Sequence, residues 1–299
     1  MRLMSLSLLV LAALSASAQE GEKTTIEWKL KKGDQHRYEA GQVMEINIGG
    51  TEITAEMLFG LALEVTDVSA DGVAKVKLTY DRIKTAFAGP YTSDYDSDKG
   101  GKPEEMDVIG RILAGFLNKS FTLDMNKKGE CLKTEGLTKI IDAAIKELPE
   151  ELPMLAQFSE NTRKQFSDDN MKGAFQVLLG FLPKNPVAPG ESWSTKHSMT
   201  DAIGKVSFDG NTTLKELRAE GKEAVIKTDT KVTVTPSEEG GVFGALEIEE
   251  SKMKSEVVFR VAEGLLESSQ STFTLDGTAG GMDFSIVQKL KMKLAPKKK

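Results

Sequence analysis

Period-two alternation of apolar and polar residues at both ends of the chain constrains the fold more than any other feature. It is clearest near the C-terminus, where Phe284, Ile286, Leu290, Met292 and Leu294 share one parity and Ser285, Lys289, Lys291 and Lys293 share the other. Successive side chains of a strand point to opposite faces of a sheet, so this run reads as a strand with one buried and one solvated face. Near the N-terminus, Ile26, Trp28 and Leu30 alternate in the same way. After a Lys32-Gly33-Asp34 turn, so do Tyr38, Ala40, Met44, Ile46 and Ile48, and the spacing predicts an antiparallel pair. Gly49-Gly50 and Asp71-Gly72 mark tight turns, because glycine reaches the positive φ angles that a hairpin requires. From Gly190 onward further strands are expected through Trp193, then Val206 and Phe208, then Ala224, Ile226, Val232 and Val234 as one run, then Val257, Phe259 and Val261.

The middle third changes period. Met106, Ile109, Leu113, Phe116 and Leu117 recur at helical spacing. So do Leu137, Ile140, Ile141, Ala144 and Leu148, and again Met171 to Leu182, which predicts three amphipathic helices. Ser167 is placed to cap the last of them, and Pro149 and Pro153 break the chain before it. The stretch from Phe121 to Leu132 reads as a hairpin between the first two helices. The expected fold class is α+β and mostly antiparallel β: a large curved sheet with a central helical segment packed on one face. Its segments are a β half over 22–105, the helical segment over 106–183 and a second β half over 188–296. Leu63 to Lys77 and Leu214 to Lys227 echo one another as strand, acidic-glycine turn and lysine-alternating strand. Two related β halves would produce that echo, as would any two amphipathic hairpins.

The first eighteen residues read as an export signal. Arg2 precedes an apolar run from Leu3 to Leu14, and Ala16-Ser17-Ala18 supplies a small-x-small cleavage site. The run is shorter than the ~20 residues a spanning helix needs, and no cysteine follows it for lipid attachment. A single domain over 19–299 that is periplasmic or secreted, with no transmembrane segment after cleavage, is the expectation. The chain has 299 residues and a formal charge of -6, with acidic groups interleaved with lysines, so it carries no basic footprint for nucleic acid. Cys131 is the sole cysteine and excludes an intrachain disulfide.

Catalytic signals are sparse. His36 and His197 are the only histidines, and there is no HExxH, CxxC, G-x-S-x-G or phosphate-binding glycine loop. Neither a catalytic role nor a cofactor is expected. Asp94, Asp96, Asp98 and Glu105 have the spacing of ligands one, three, five and twelve of a calcium loop, but Lys99 stands where the turn requires glycine. A solvated acidic loop explains the same residues. Met154, Phe158, Met171, Phe175, Leu178 and Leu179 form a soft apolar set that suits either core packing or a groove for an apolar ligand.

Several turns give the whole chain past residue 18 a family resemblance. They are Gly33-Asp34 before Tyr38, Asp71-Gly72 followed by Thr79-Tyr80-Asp81-Arg82-Ile83-Lys84, Tyr95-Asp96-Ser97, Leu182-Pro183 to Pro186-Val187, and Gly190-Glu191-Ser192-Trp193. With these the sequence resembles an uncharacterised family of exported bacterial proteins classed as a domain of unknown function. The resemblance implies no activity and no site residues, and it favours a recurring loop over a metal site at Tyr95-Asp96-Ser97. The functional expectation is a noncatalytic envelope protein whose partner is a lipid or other apolar ligand held between sheet and helices. A structural module that binds another envelope protein is the alternative, and calcium binding is a lesser one.

Overall fold

The computed structural model describes residues 22–90, 92–100, 107–149, 155–201, 204–236 and 246–296. Its strands are β1 (Gln35–Ile48), β2 (Thr51–Val68), β3 (Ala74–Ala88), β4 (Ser93–Asp96), β5 (Ser120–Met125), β6 (Cys131–Glu135), β7 (Ser192–Asp201), β8 (Gly204–Arg218), β9 (Glu223–Pro236), β10 (Leu246–Arg260), β11 (Leu265–Ala279) and β12 (Met282–Leu294). The helices are α1 (Val108–Phe116), α2 (Leu137–Lys146), α3 (Leu155–Gln165) and α4 (Asp168–Leu179). All twelve strands belong to one antiparallel sheet in the order β6-β5-β3-β2-β1-β12-β11-β10-β9-β8-β7, with β4 as a side branch on β3. Two meanders therefore meet at β1 and β12, which pair from Tyr38↔Leu294 to Ile48↔Phe284. The expected β halves are parts of one continuous sheet. The echoed hairpins β2–β3 and β8–β9 share a register shift near the turn, at Val65/Asp67 and Leu214/Glu216.

Register and alternation define an inward face. Tyr38 and Ala40 are buried, and the same parity continues through Gln42, Met44, Ile46 and Ile48. The opposite parity carries the charges, with pairs such as Lys77–Glu64 and Lys227–Glu256 spanning neighbouring strands. The sheet curls far enough that its two edges reach one helix, since α4 touches both β6 and β7. Asn170 Oδ1 accepts from the Thr200 N–H of β7 at 2.9 Å, and Gln176 Oε1 accepts from the Cys131 N–H of β6 at 2.8 Å. The side-chain amides of α4 thus stand in for the strand that would have closed the sheet. Asp168, in the first turn of α4, accepts from the Leu137 N–H at 3.0 Å and ties the helix to the start of α2.

Three expectations change. The helices do not form a layer across the centre of the sheet: α1 packs on β3 and β4, α2 packs on α1, and α4 fills the seam. The sheet covers much of its inner face by curling on itself, which leaves only a corner and the seam for helices. A fourth helix, α3, forms over residues 155–165, just beyond the proline-broken stretch. Residues 26–30 are not a strand paired with β1. The Trp28 N–H donates to Lys127 O and the Lys29 N–H to Gly264 O, so this segment crosses from the β5–β6 turn to the β10–β11 turn. The alternation there is correct for burial, with Ile26 and Trp28 inside, because an extended plug and a strand share the same two-residue period.

Candidate ligand chamber on the concave face

The buried apolar residues separate into two clusters at opposite ends of the strands. The larger joins the ends of β2, β8 and β10 and the starts of β1, β3, β9 and β11 to the plug and helices, around Ile26, Phe121, Ile141, Leu214, Ile226, Phe259 and Leu266. Aromatic contacts bind it internally: Trp28 lies edge-on to Phe259 with ring centroids 5.3 Å apart, and Phe121 lies 5.8 Å from Phe175. The smaller cluster holds Val206, Val232, Val234, Leu275, Ala279 and Phe284 at the other end. Each fully buried residue of this kind contributes about 1.5–3 kcal/mol, so burial at both ends stabilises the curled sheet.

Between the clusters the inward face is neither dry nor wholly apolar. One row runs across the sheet by register as Thr85↔Met57, Met57↔Gln42, Gln42↔Leu290, Leu290↔Ser271, Ser271↔Ser255, Ser255↔Thr228 and Thr228↔Thr212. Gln42, Met57, Leu290, Ser271, Ser255 and Thr228 in this row are half-buried, as are Met44, Gln288, Phe273 and Met253 in the next. Met44, Met57 and Leu290 belong to neither cluster. This band of half-buried inward side chains between two buried clusters is the candidate chamber, with methionine and leucine on the β2–β1–β12 side and hydroxyls on the β11–β7 side. Thr212 is fully buried and its hydroxyl lies 3.1 Å from that of Thr228.

The residues singled out in the sequence fall elsewhere. Met171, Phe175 and Leu179 of α4 pack half-buried against the large cluster, and Leu178 is half-buried outside it. Phe158 lies in α3, in a stretch whose side chain is not among the described ones, and Met154 lies outside the described residues. Asp94 and Asp96 lie on β4, a strand where a loop was expected, because Tyr95 between them is buried against β3. Asp96 accepts from the Asp98 N–H, and that bond with the nearby Lys84 ammonium holds its carboxyl below the usual range. Asp98 pairs with Arg82 at 2.6 Å. Glu105 lies outside the described residues, and among these no group of three ligand-type side chains could hold a metal. Basic partners from β3 already meet two of the three aspartates.

Of the titratable groups the sequence singled out, Cys131 and His197 share a cleft at the seam and His36 stands apart on β1. Burial pushes the Cys131 thiol up to about 11, so it stays protonated at neutral pH. His36 lies on β1, six positions from β7 in the sheet order, whereas His197 on β7 and Cys131 on β6 line the same cleft at the seam. Burial lowers the His197 pKa, with the backbone at Gly180 and the charge of Glu130 opposing the shift. A cleft of about 1090 Å³ lies at the seam beside His197, but Lys23, Lys128, Glu130, Lys184, Glu191 and Lys196 line it, which suits an apolar ligand poorly. No described helix is long and apolar enough to cross a membrane.

Sequence reasoning missed the chamber. Its signal is a failure of alternation: inward positions turn polar midway along five consecutive strands of the sheet, at Thr195, Thr212, Thr228, Ser255 and Ser271. That pattern is invisible until the register aligns the strands.

A family model described as a family of unknown function (DUF6263) matches residues 71–259. No curated protein matches the chain. Among solved structures, a lipovitellin structure titled for lipid–protein interactions is similar with a TM-score of 0.53 at 10% identity. The match covers 90% of this chain and 26% of that one, so the chain spans about a quarter of its neighbour's length and the likeness is one of fold. DynF from the dynemicin biosynthesis pathway of Micromonospora chersina aligns over 92% of this chain and 89% of its own, at 7% identity and a TM-score of 0.22, and carries no argument.

Proposed function

Because the chain belongs to DUF6263, a family of unknown function, we propose its role from the chamber: an exported envelope protein that holds a lipid or other apolar ligand without transforming it. The observation that carries this reading is the half-buried apolar set of Met44, Met57 and Leu290, which lies on the inward face between two buried clusters and belongs to neither. Methionine is flexible and polarizable, and suits a surface that must accept chains of varied shape. The export signal read in residues 1–18 supports a periplasmic or secreted location. The buried thiol, held protonated at neutral pH, supports a role without turnover.

Magnitudes bound the ligand. Burial contributes about 0.8 kcal/mol per methylene, while association costs at least about 4 kcal/mol. Chains of about six carbons would barely offset that cost, and chains of about sixteen would exceed it severalfold. Native mass spectrometry of residues 19–299 after gentle purification tests the reading. Copurified lipid, or a mass gain on adding monopalmitoylglycerol that is absent with its six-carbon analogue, is expected. A protein that stays bare with every chain length contradicts it.

A further inference from the structure

The chamber is divided chemically, and the division names the kind of ligand it would take. Apart from Asp201 at the last position of β7, inward positions of β1 to β3 and β7 to β12 carry no Asp, Glu, Lys or Arg among the described residues whose facing the register fixes. The same strands are densely charged outside, with Lys227, Asp229 and Lys231 on β9, Lys252 and Lys254 on β10, and Lys289, Lys291 and Lys293 on β12. Absence of charge is thus a property of the face and not of the sequence. An ionised headgroup drawn into this space would lose its hydration and meet no counter-charge on the sheet.

The polar groups present are uncharged donors and acceptors. Ser255, Ser269 and Ser271 are half-buried on the inward face, and their hydroxyls have no partner among the described residues. At the β3 end of the same row Thr85 is 1% exposed, points inward between Ile83 and Phe87, and its hydroxyl has no partner. Free hydroxyls that can donate and accept match an ester, amide or alcohol group, while the facing methionine and leucine wall matches a hydrocarbon chain.

Resting on the proposed ligand-holding role, we infer that the chamber selects neutral amphiphiles: an acyl chain lies along Met44, Met57 and Leu290, and an uncharged ester, amide or hydroxyl group is hydrogen-bonded by Ser255, Ser271 and Thr228. Binding of three probes of equal chain length to residues 19–299 tests this, using monopalmitoylglycerol, palmitamide and, at pH 8, palmitate. The two neutral probes are expected to bind at least about tenfold more tightly than palmitate, in line with one lost or mispaired polar contact. Ser255→Lys, with its fold checked by thermal melting, is expected to reverse that order by giving the carboxylate a partner. Should that variant not fold, Ser255→Ala combined with Ser271→Ala is expected to lower affinity for the neutral probes and leave palmitate unchanged. Equal binding of neutral and anionic probes by the unaltered protein overturns the inference and leaves the ligand-holding role intact. Failure of all three to bind overturns that role itself.

Discussion

At the scale of single residues, two strand glycines show how close approach decides the cost of one methyl group. On the outer face, the ion pair between Arg37 of β1 and Asp81 of β3 crosses over β2 at Gly60, with 2.7 Å between Arg37 Nε and Asp81 Oδ2. A Cβ at Gly60 would lie 2.1 Å from Asp81 Oδ1 and 2.4 Å from Arg37 Nη2, both ends of movable side chains. At Gly277 of β11 it would lie 2.1 Å from the backbone oxygen of Glu247, beside the register shift in β10. Gly60→Ala is therefore expected to cost about 1 kcal/mol, the scale of a partly exposed ion pair. Gly277→Ala is expected to cost about 3 kcal/mol or to prevent folding, since a backbone must shift. Urea unfolding of both variants checks the ranking, and equal losses would contradict it. His197 supplies a pH dependence. Its folded pKa lies below the unfolded value of about 6.5. Below that value the unfolded chain binds more protons, so stability falls as pH drops from about 7 through 6. Carboxylates held low, such as Asp96 and Glu191, act only near pH 4 and below. His197→Gln should flatten the fall in melting temperature between pH 7.5 and 5.5, and an unchanged slope would count against the assignment.

At the scale of elements, α4 does the work of a missing strand. Its N-terminus is capped by Ser167, whose hydroxyl accepts from the Asn170 N–H, while Asn170 and Gln176 reach the open edges on either side. None of its residues is fully buried, so polar bonds to the two edges contribute a large share of its attachment. Removing both amides as Asn170→Ala with Gln176→Ala should lower stability by about 1–2 kcal/mol. Two unprotected edges should also promote self-association. Denaturant midpoints and light scattering read both effects, and a monomer of unchanged stability would show that the amides do not guard the edges. The positions of β1 to β3, β7 to β10, β12, α1, α2 and α4 were legible because alternation, helical spacing, glycine turns and the Ser167 cap are local signals, whereas β11, rich in serine and threonine, has no clear apolar alternation to announce it. The role of residues 26–30 was not, since a plug and a strand bury the same parity. Nor was α3, whose Ser159 and Thr162 are buried polar residues with no apolar stripe to announce them.

At the scale of the whole molecule, one sheet supplies both the scaffold and the site. Pairing of β1 with β12 joins the two meanders, and curling brings β6 and β7 to opposite sides of α4, so the inward faces of distant strands look at one another. The apolar set on α4 that the sequence offered as a groove instead lies largely against the core. The chamber is composed of residues such as Met57 and Ser255, which are separated by 198 positions in the numbering and fall in one row across the sheet only through register. The central claim is that an acyl chain enters this inward face. Val43 and Met57 separate the two sides of the sheet, because Met57 pairs with inward Gln42 while Val43 stands on the charged outer parity opposite Lys289. Tryptophan fluorescence of Met57→Trp and Val43→Trp, corrected for the two native tryptophans with the parent protein, should be measured against dibrominated monostearoylglycerol. Quenching at position 57 with none at position 43 is the predicted result. Equal quenching at both, or quenching at position 43 alone, would contradict a ligand held on the concave face.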